Sequence, residues 1–269
     1  MKDYAIGVFD SGVGGLTCVK ELKRILPNEN IIYLGDTARI PYGTKSGDTV
    51  FNYAVQDAAF LEEHKVKMFI VACGTVSSVM MKRPVFDVNR LYTGVVYPAV
   101  AEAVKITKNK RIGVIGTSAT IKSKAYEQAI NDIAPDVKVV TKACPMFVPL
   151  VENGYTSPDD PISTAISKDY LKVMIDEKVD TLIMGCTHYP HLSGVFERVL
   201  GDKVSLVSSG AEAAKFAKRV LENENLLSER KEEGVLELYC TDSVELFTEN
   251  VETFLGHNIN AAISKCVLK

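Results

Sequence analysis

The chain has 269 residues, 46% of them hydrophobic, and a formal net charge of −3. That length supplies a core for one large or two modest domains of about 100–200 residues each. The charge balance offers no basic face for nucleic acid or anionic lipid. No stretch approaches the roughly 18 apolar residues of a membrane span, and Met1-Lys2-Asp3-Tyr4 lacks the charged-then-apolar order of a signal peptide, so a cytoplasmic protein is expected.

In chain order, short β-branched runs alternate with stretches of helical spacing. Ile6–Asp10 reads as a strand, Leu16–Leu26 as a helix, Ile31–Asp36 as a strand and Arg39–Gly43 as a loop. A helix is expected from about Asp48 to His64, then a buried strand Lys67–Ala72 that ends at Cys73. A helix after Ser77, a strand near Thr93–Tyr97 and a helix near Pro98–Thr107 follow. The second half repeats the alternation. Its strands are Arg111–Gly116, Val137–Thr141, Thr181–Gly185 and Val235–Thr241, and its helices are Ser123–Ile133, Asp159–Glu177, Ser209–Asn223 and Asp242–Leu255. Strands alternating with helices predict an α/β fold around parallel sheet.

Two segments recur. Ile6-Gly7-Val8-Phe9-Asp10-Ser11 resembles Ile112-Gly113-Val114-Ile115-Gly116-Thr117, and Ile70-Val71-Ala72-Cys73-Gly74-Thr75 resembles Ile183-Met184-Gly185-Cys186-Thr187-His188. One such match between apolar strands is expected by chance. Two, in the same order and at nearly equal spacing, argue for a duplication. Ligands of open α/β sheets bind at the carboxyl ends of the strands, so each copy places a hydroxyl and a thiol there. Two halves facing each other across a pseudo-twofold axis would bring the thiols to one ligand from opposite sides. That arrangement suits a reaction whose substrate and product are mirror images.

The six cysteines contain no C-x-x-C pair, and a chain of this kind is not expected to carry disulfides. Cys18, Cys144, Cys240 and Cys266 read as small buried hydrophobes. Taken without the repeat, Cys73 and Cys186 would read the same way. With it, they read as two acid/base groups, one thiolate and one thiol, that exchange roles at each turnover. His188 lies two residues from Cys186 and is placed to take or hold its proton. Asp10 ends the first strand and is placed to orient or assist Cys73, although a carboxylate there raises a thiol pKa. Thr75, Thr117, Thr120 and Thr187 supply hydroxyls, and loop N–H groups near helix starts, that can cradle carboxylates.

Other features have plainer readings. Gly12–Gly15 lacks the dinucleotide pattern because Thr17 stands where the third glycine belongs, and it reads as a tight strand-to-helix turn. Pro41-Tyr42-Gly43 reads as a turn, and Glu152 as a solvated carboxylate. Cys186, His188 and His191 match no standard zinc spacing, so no metal is expected.

At these residues the chain resembles the glutamate racemases of bacterial cell-wall synthesis. The resemblance runs through Phe9-Asp10-Ser11-Gly12-Val13-Gly14-Gly15, Tyr33-Leu34-Gly35-Asp36, Pro41-Tyr42-Gly43, Ala72-Cys73-x-Thr75 and Gly113-x-x-Gly116-Thr117-x-x-Thr120. It continues through Cys144-Pro145-x-Phe147-Val148-Pro149-Leu150-Val151-Glu152 and, most specifically, Gly185-Cys186-Thr187-His188-Tyr189-Pro190. The related aspartate racemases usually carry glutamate where His188 stands. The resemblance implies two pseudo-symmetric α/β domains, each a mostly parallel sheet flanked by helices, with the active site in the cleft between them. Residues 1–97 plus 207–269 would form the first and 98–206 the second. It also implies glutamate as the small-molecule substrate, D-glutamate for peptidoglycan as the product, no cofactor and a homodimer. Carried over by position, Cys73 acts on the D-isomer and Cys186 on the L-isomer, with Asp10, Glu152 and His188 assisting. Asp10-Ser11, Pro41-Tyr42-Gly43, Gly74-Thr75 and Thr187-His188 hold substrate. One departure stands out: the family usually has asparagine after the first cysteine, and this chain has Gly74. The lost donor is worth roughly 1–3 kcal/mol where it meets a buried charged group. A racemase of another acid such as aspartate, a hydrolase or transferase with one nucleophilic thiol, and a binding protein that has lost turnover are the competing readings.

Overall fold

Two parallel sheets organise the chain. The computed structural model describes residues 1–256 and 259–269. The first sheet has the order β10-β9-β2-β1-β3-β4, built from β1 (Ala5–Asp10), β2 (Ile31–Gly35), β3 (Val66–Val71), β4 (Tyr92–Gly94), β9 (Leu236–Cys240) and β10 (Ala262–Lys265). The second has the order β6-β5-β7-β8, from β5 (Arg111–Gly116), β6 (Lys138–Ala143), β7 (Thr181–Met184) and β8 (Ser205–Ser208). Every residue of β1, β2 and β3 is buried, as expected for central strands covered on both faces.

The order β2-β1-β3-β4 in one sheet is matched by β6-β5-β7-β8 in the other. The two repeats seen in the sequence thus occupy equivalent strands, β1 with β5 and β3 with β7. Equivalence reaches the hydrogen bonds beyond the strand ends. The Ala72 N–H donates to the Phe9 carbonyl at 2.9 Å, and the Gly185 N–H to the Ile115 carbonyl at 2.8 Å. The fold is therefore the expected pseudo-symmetric α/β arrangement. The boundaries expected at 97/98 and 206/207 fall inside α4 (Val96–Ile106) and β8.

Helices flank both sheets. α1 (Leu16–Ile25) buries Leu16, Cys18, Val19 and Leu22 along one stripe, and α10 (Ser209–Asn223) buries Ala213, Ala214, Ala217 and Leu221. α2 (Gly47–Glu62) starts where the Ser46 hydroxyl accepts from the Thr49 N–H, and α8 (Pro161–Asp176) where the Asp160 carboxylate accepts from Ser163. α11 (Val244–Leu255) buries Phe247, Val251 and Phe254.

Several expected elements differ. The helix expected after Ser77 is α3 (Gly74–Met80), which begins directly after Cys73. The serine hydroxyls that read as a helix start bond backward instead, Ser77 to the Val71 carbonyl and Ser78 to the Gly74 carbonyl. The helix expected over Ser123–Ile133 is two, α5 (Ser118–Ser123) and α6 (Ala125–Ile133), broken at Lys124 with φ of 58°. α4 begins two residues before Pro98, which costs no hydrogen bond in a first turn. α7 (Phe147–Glu152), α9 (Ser193–Leu200), β8 and β10 were not expected. All are short, and β10 is mostly exposed and carries no alternating pattern.

At the amino ends of the first sheet's strands, Lys67 is buried and its ammonium donates to Glu29 Oε2 at 2.5 Å and to the carbonyls of Lys2 and Leu226. The other Glu29 oxygen accepts from the Ser228 N–H at 2.8 Å. This pair ties β3, the start of β2 and the chain after α10 into one register. Lys67→Met strands a buried carboxylate and is expected to cost about 3–5 kcal/mol in denaturant unfolding, most of it recovered by adding Glu29→Gln. A single-variant loss below about 1 kcal/mol, the range of exposed pairs, would refute the assignment.

Candidate active site

The carboxyl ends of β1, β3, β5 and β7 face one cavity of about 390 Å³. Of the residues singled out from sequence, Ser11, Pro41, Tyr42, Gly43, Cys73, Gly74, Thr75, Thr117, Glu152, Cys186, Thr187 and His188 line it. Asp10 and Thr120 do not. Both are buried one layer behind the wall. Gly12, Ile40, Thr44, Ser118, Pro145, Val148, Pro149 and Gly185 complete the lining and were not foreseen. Their apolar and backbone surfaces carry no chemical signal of their own.

Cys73 leaves the end of β3 in an extended conformation and its thiol donates to the Ser11 hydroxyl at 3.5 Å. Burial and the nearby Asp10 carboxyl push this thiol up to about 12, against the weaker opposing pull of Ser11. Cys73 therefore holds its proton at neutral pH. Asp10 accepts from the Gly12 N–H at 3.0 Å through Oδ2, while Oδ1 is buried without a hydrogen-bond partner. Burial raises the Asp10 pKa, with His188 and the loop N–H groups pulling the other way. The partner of Cys73 is thus Ser11, and Asp10 acts on it through charge.

Cys186 has a different neighbour. Its sulfur lies 4.0 Å from His188 Nδ1, and His188 Nε2 lies 3.1 Å from Glu152 Oε1. Burial works against charge on the ring. The bonds to Cys186 and Glu152 outweigh it and raise His188 to about 10. His188 is therefore a cation at neutral pH, held between a sulfur and a carboxylate. Phe254 from α11 closes the other side, edge-on at 5.5 Å. His191 also packs on Phe254, and burial lowers it to about 4. Among the described residues no group of three or more His, Cys, Asp or Glu side chains is placed to hold a metal ion.

Hydroxyls cross the cleft. Thr75 Oγ1 lies 3.1 Å from Thr117 Oγ1 and 3.5 Å from Thr120 Oγ1, and Thr117 lies 3.0 Å from Thr120. From α1, Thr17 donates to the Thr187 carbonyl at 3.1 Å. The Tyr42 wall is anchored from behind by a cluster that sequence reading missed. The Tyr42 hydroxyl donates to Asp36 and lies 3.3 Å from Asp57 Oδ2. Arg39 donates to Asp36 Oδ2 at 2.5 Å and to Asp57 Oδ1 at 3.1 Å, and the Thr241 hydroxyl donates to Asp36 Oδ1. The signal was an acidic residue, Asp57, on the buried stripe Ala54, Ala58 and Leu61 of α2.

The pattern that defines the Asp/Glu/Hydantoin racemase family matches residues 6–217. A glutamate racemase of Geobacter metallireducens is 43% identical over 252 residues, covering 94% of this chain and 93% of that protein. Among solved structures, glutamate racemase isoform RacE1 of Bacillus anthracis superposes with a TM-score of 0.94 at 35% identity, covering 100% of this chain and 99% of that one. Glutamate racemase of Francisella tularensis in complex with D-glutamate gives 0.89 at 36% identity, covering 99% and 98%.

The bond to the Glu152 carboxylate favours the imidazolium form of His188, so its loss must lower the ring's pKa. An NMR titration is expected to place the His188 midpoint near 10, and Glu152→Gln to move it down toward the ordinary 6.5. A midpoint unchanged in the variant would show that the two groups are not coupled.

Proposed function

Because the chain belongs to the Asp/Glu/Hydantoin racemase family and is an amino-acid racemase, we propose that it interconverts L- and D-glutamate with Cys73 and Cys186 as opposing bases and without a cofactor. The observation that carries this reading is the pair of thiols at equivalent strand ends on one cavity, each in a different protonation environment.

The α-proton of a free amino acid is very weakly acidic, so the site must position a base and stabilise charge on the carboxylate at once. The hydroxyls of Ser11, Thr75, Thr117 and Thr187, with the N–H groups of the Tyr42-Gly43 and Gly74-Thr75 segments, hold the two carboxylates. Thr120 keeps Thr117 and Thr75 in place. Pro41 shapes the Tyr42 wall. With L-glutamate bound, the Cys186 sulfur, beside the cationic His188, takes the α-proton. The electron pair left on Cα spreads into the α-carboxylate. Cys73, which holds its proton, delivers it to the opposite face, and the C–H bond re-forms inverted. The cysteines have then exchanged protonation states, and the reverse reaction starts from Cys73 on D-glutamate. His188 balances charge at Cys186, Glu152 orients His188, and Asp10 plays the corresponding part behind Cys73. No electron sink beyond the carboxylate is needed if the donors are fixed before the substrate arrives.

In the same reading residues 1–97 with 207–269 form one lobe and 98–206 the other. The product serves peptidoglycan synthesis, and the chain works as a cytoplasmic homodimer. No helix among the described residues is long and apolar enough to cross a membrane.

The test is proton NMR of either glutamate enantiomer in heavy water, without pyridoxal phosphate. Deuterium is expected to enter Cα as the enantiomer inverts. Cys73→Ala and Cys186→Ala are each expected to slow inversion by about 10²–10⁴-fold. Equal or faster turnover of aspartate would overturn the substrate assignment. A covalent acyl adduct seen by mass spectrometry would replace the racemase chemistry with that of a nucleophilic thiol.

A further inference from the structure

The two halves fasten the turn after their first strand in different ways. In the second half Thr117 follows β5, and its hydroxyl accepts from the Thr120 N–H at 3.3 Å, so the turn into α5 is capped by its own side chain. Ser11 holds the same place after β1, but its hydroxyl accepts from the Cys73 thiol at 3.5 Å. α1 accordingly starts after Gly15 without a side-chain cap.

Two buried groups hold the first turn from behind instead. Asp10 Oδ2 accepts from the Gly12 N–H at 3.0 Å, and the Tyr33 hydroxyl donates to the Gly12 carbonyl at 2.7 Å. Tyr33 is fully buried on β2, in register with Val8 of β1, and its ring stacks on Phe247 of α11 with centroids 6.4 Å apart. The hydroxyl also lies near the end of the turn. A β-carbon on Gly15 would stand 3.0 Å from it and 2.6 Å from Asp10 Cβ. In the second half the corresponding place, in register with Val114 of β5, is taken by the much shorter Thr141. The phenol therefore serves the Cys73 side alone. Where the same turn meets the Cys186 side, at Gly14, it is fastened separately: the Thr17 hydroxyl donates to the Gly14 carbonyl at 2.8 Å and to the Thr187 carbonyl at 3.1 Å.

We propose that Tyr33 is a positioning residue for the Cys73 half of the reaction: its hydroxyl pins Gly12, and through Gly12 the Ser11 hydroxyl and Asp10 carboxyl that act on the thiol. The inference rests on the two-thiol reading above. Tyr33 does not line the cavity, so it acts through the turn and not on the substrate. Without the hydroxyl the buried Gly12 carbonyl loses its partner, which costs far more than an exposed bond would. The turn shifts to find another donor, Ser11 and Asp10 shift with it, and Cys73 loses its alignment with Cα. Cys186, His188 and Glu152 keep theirs.

The experiment is Tyr33→Phe, which removes the hydroxyl and keeps the ring, with turnover measured on L- and D-glutamate deuterated at Cα. kcat is expected to fall about 10-fold with KM nearly unchanged, less than the loss of roughly 10²-fold that follows a full 1 Å misplacement. With D-glutamate the slowed step is removal of the α-proton by Cys73, so the primary isotope effect rises. With L-glutamate the slowed step is delivery of a solvent-derived proton from Cys73, so the isotope effect falls. The His188 midpoint stays near 10. General loosening of the cleft would move both isotope effects together. That result, unmoved isotope effects in a folded variant, or a shifted His188 midpoint would overturn the proposal. Tyr239→Phe removes a hydroxyl from the same sheet, where it donates to Glu237 at 2.9 Å, and is expected to leave turnover unchanged. Should Tyr33→Phe not fold, Phe247→Leu loosens the ring on which Tyr33 stacks and is expected to split the isotope effects in the same sense; no split there counts against the proposal. Inversion of D-glutamate at the native rate by Cys73→Ala would instead strike the underlying two-thiol reading.

Discussion

Two backbone hydrogen bonds decide where the chemistry of this protein can occur. The Ala72 N–H reaches the Phe9 carbonyl, and the Gly185 N–H reaches the Ile115 carbonyl. Each fastens the residue before a cysteine to the neighbouring strand just beyond the sheet, so each cysteine follows its strand at the equivalent point. Parallel strands present their carboxyl ends together, and there the loops must turn into helices with N–H groups unpaired. Facing two such ends across a narrow gap gives a cavity rich in unpaired donors. It has both thiols in its lining.

The backbone is duplicated but the side chains are not. Equivalent positions carry Asp10 and Gly116, Ser11 and Thr117, Gly74 and Thr187, Thr75 and His188. Beside Cys73 the duplication has left a hydroxyl and a buried carboxyl; burial and the carboxyl keep the thiol protonated against the opposing pull of the hydroxyl. Beside Cys186 it has left an imidazole made cationic by its bonds to the sulfur and Glu152. A symmetric frame thus holds an acid on one side and a cation-supported sulfur on the other. The frame supplies the geometry, and divergence of a few side chains gives each thiol its own surroundings.

Much of this was legible before any coordinates. Central strands buried on both faces write continuous apolar runs, and β1, β3, β5 and β7 were all read from them. The paired strand-then-cysteine segments then located both thiols and His188. What escaped was of two kinds. Short elements such as α7, α9 and β8 lack the length for a period to show, and β10 lies at the sheet edge with most of its side chains exposed. Tertiary contacts between distant segments also leave no local trace. Gly74 read as the loss of a donor, and its backbone also lies against the Gly185 carbonyl of the facing loop. Asp10 and Thr120 read as lining residues, yet they stand behind the wall, because sequence spacing does not say which of two neighbouring polar side chains faces the cavity.

The Tyr42 wall shows why the cavity needs support from outside itself. Asp36 and Asp57 are both fully buried, with Arg39 as the cation between them. Two buried carboxylates beside one guanidinium leave a surplus negative charge, which a low-dielectric interior opposes strongly. Burial and the proximity of Asp36 push Asp57 well above the usual carboxylate range, with Arg39 and the Tyr42 hydroxyl pulling the other way. The cluster locks Arg39 and Tyr42 at both ends of a short segment whose middle, Ile40-Pro41, lines the cavity. A free loop at this place would add its own ordering entropy to every binding event. Anchored through side chains that never meet the ligand, the segment is already in place when the ligand arrives. A site that relies on fixed donors in place of a cofactor depends on that preorganisation.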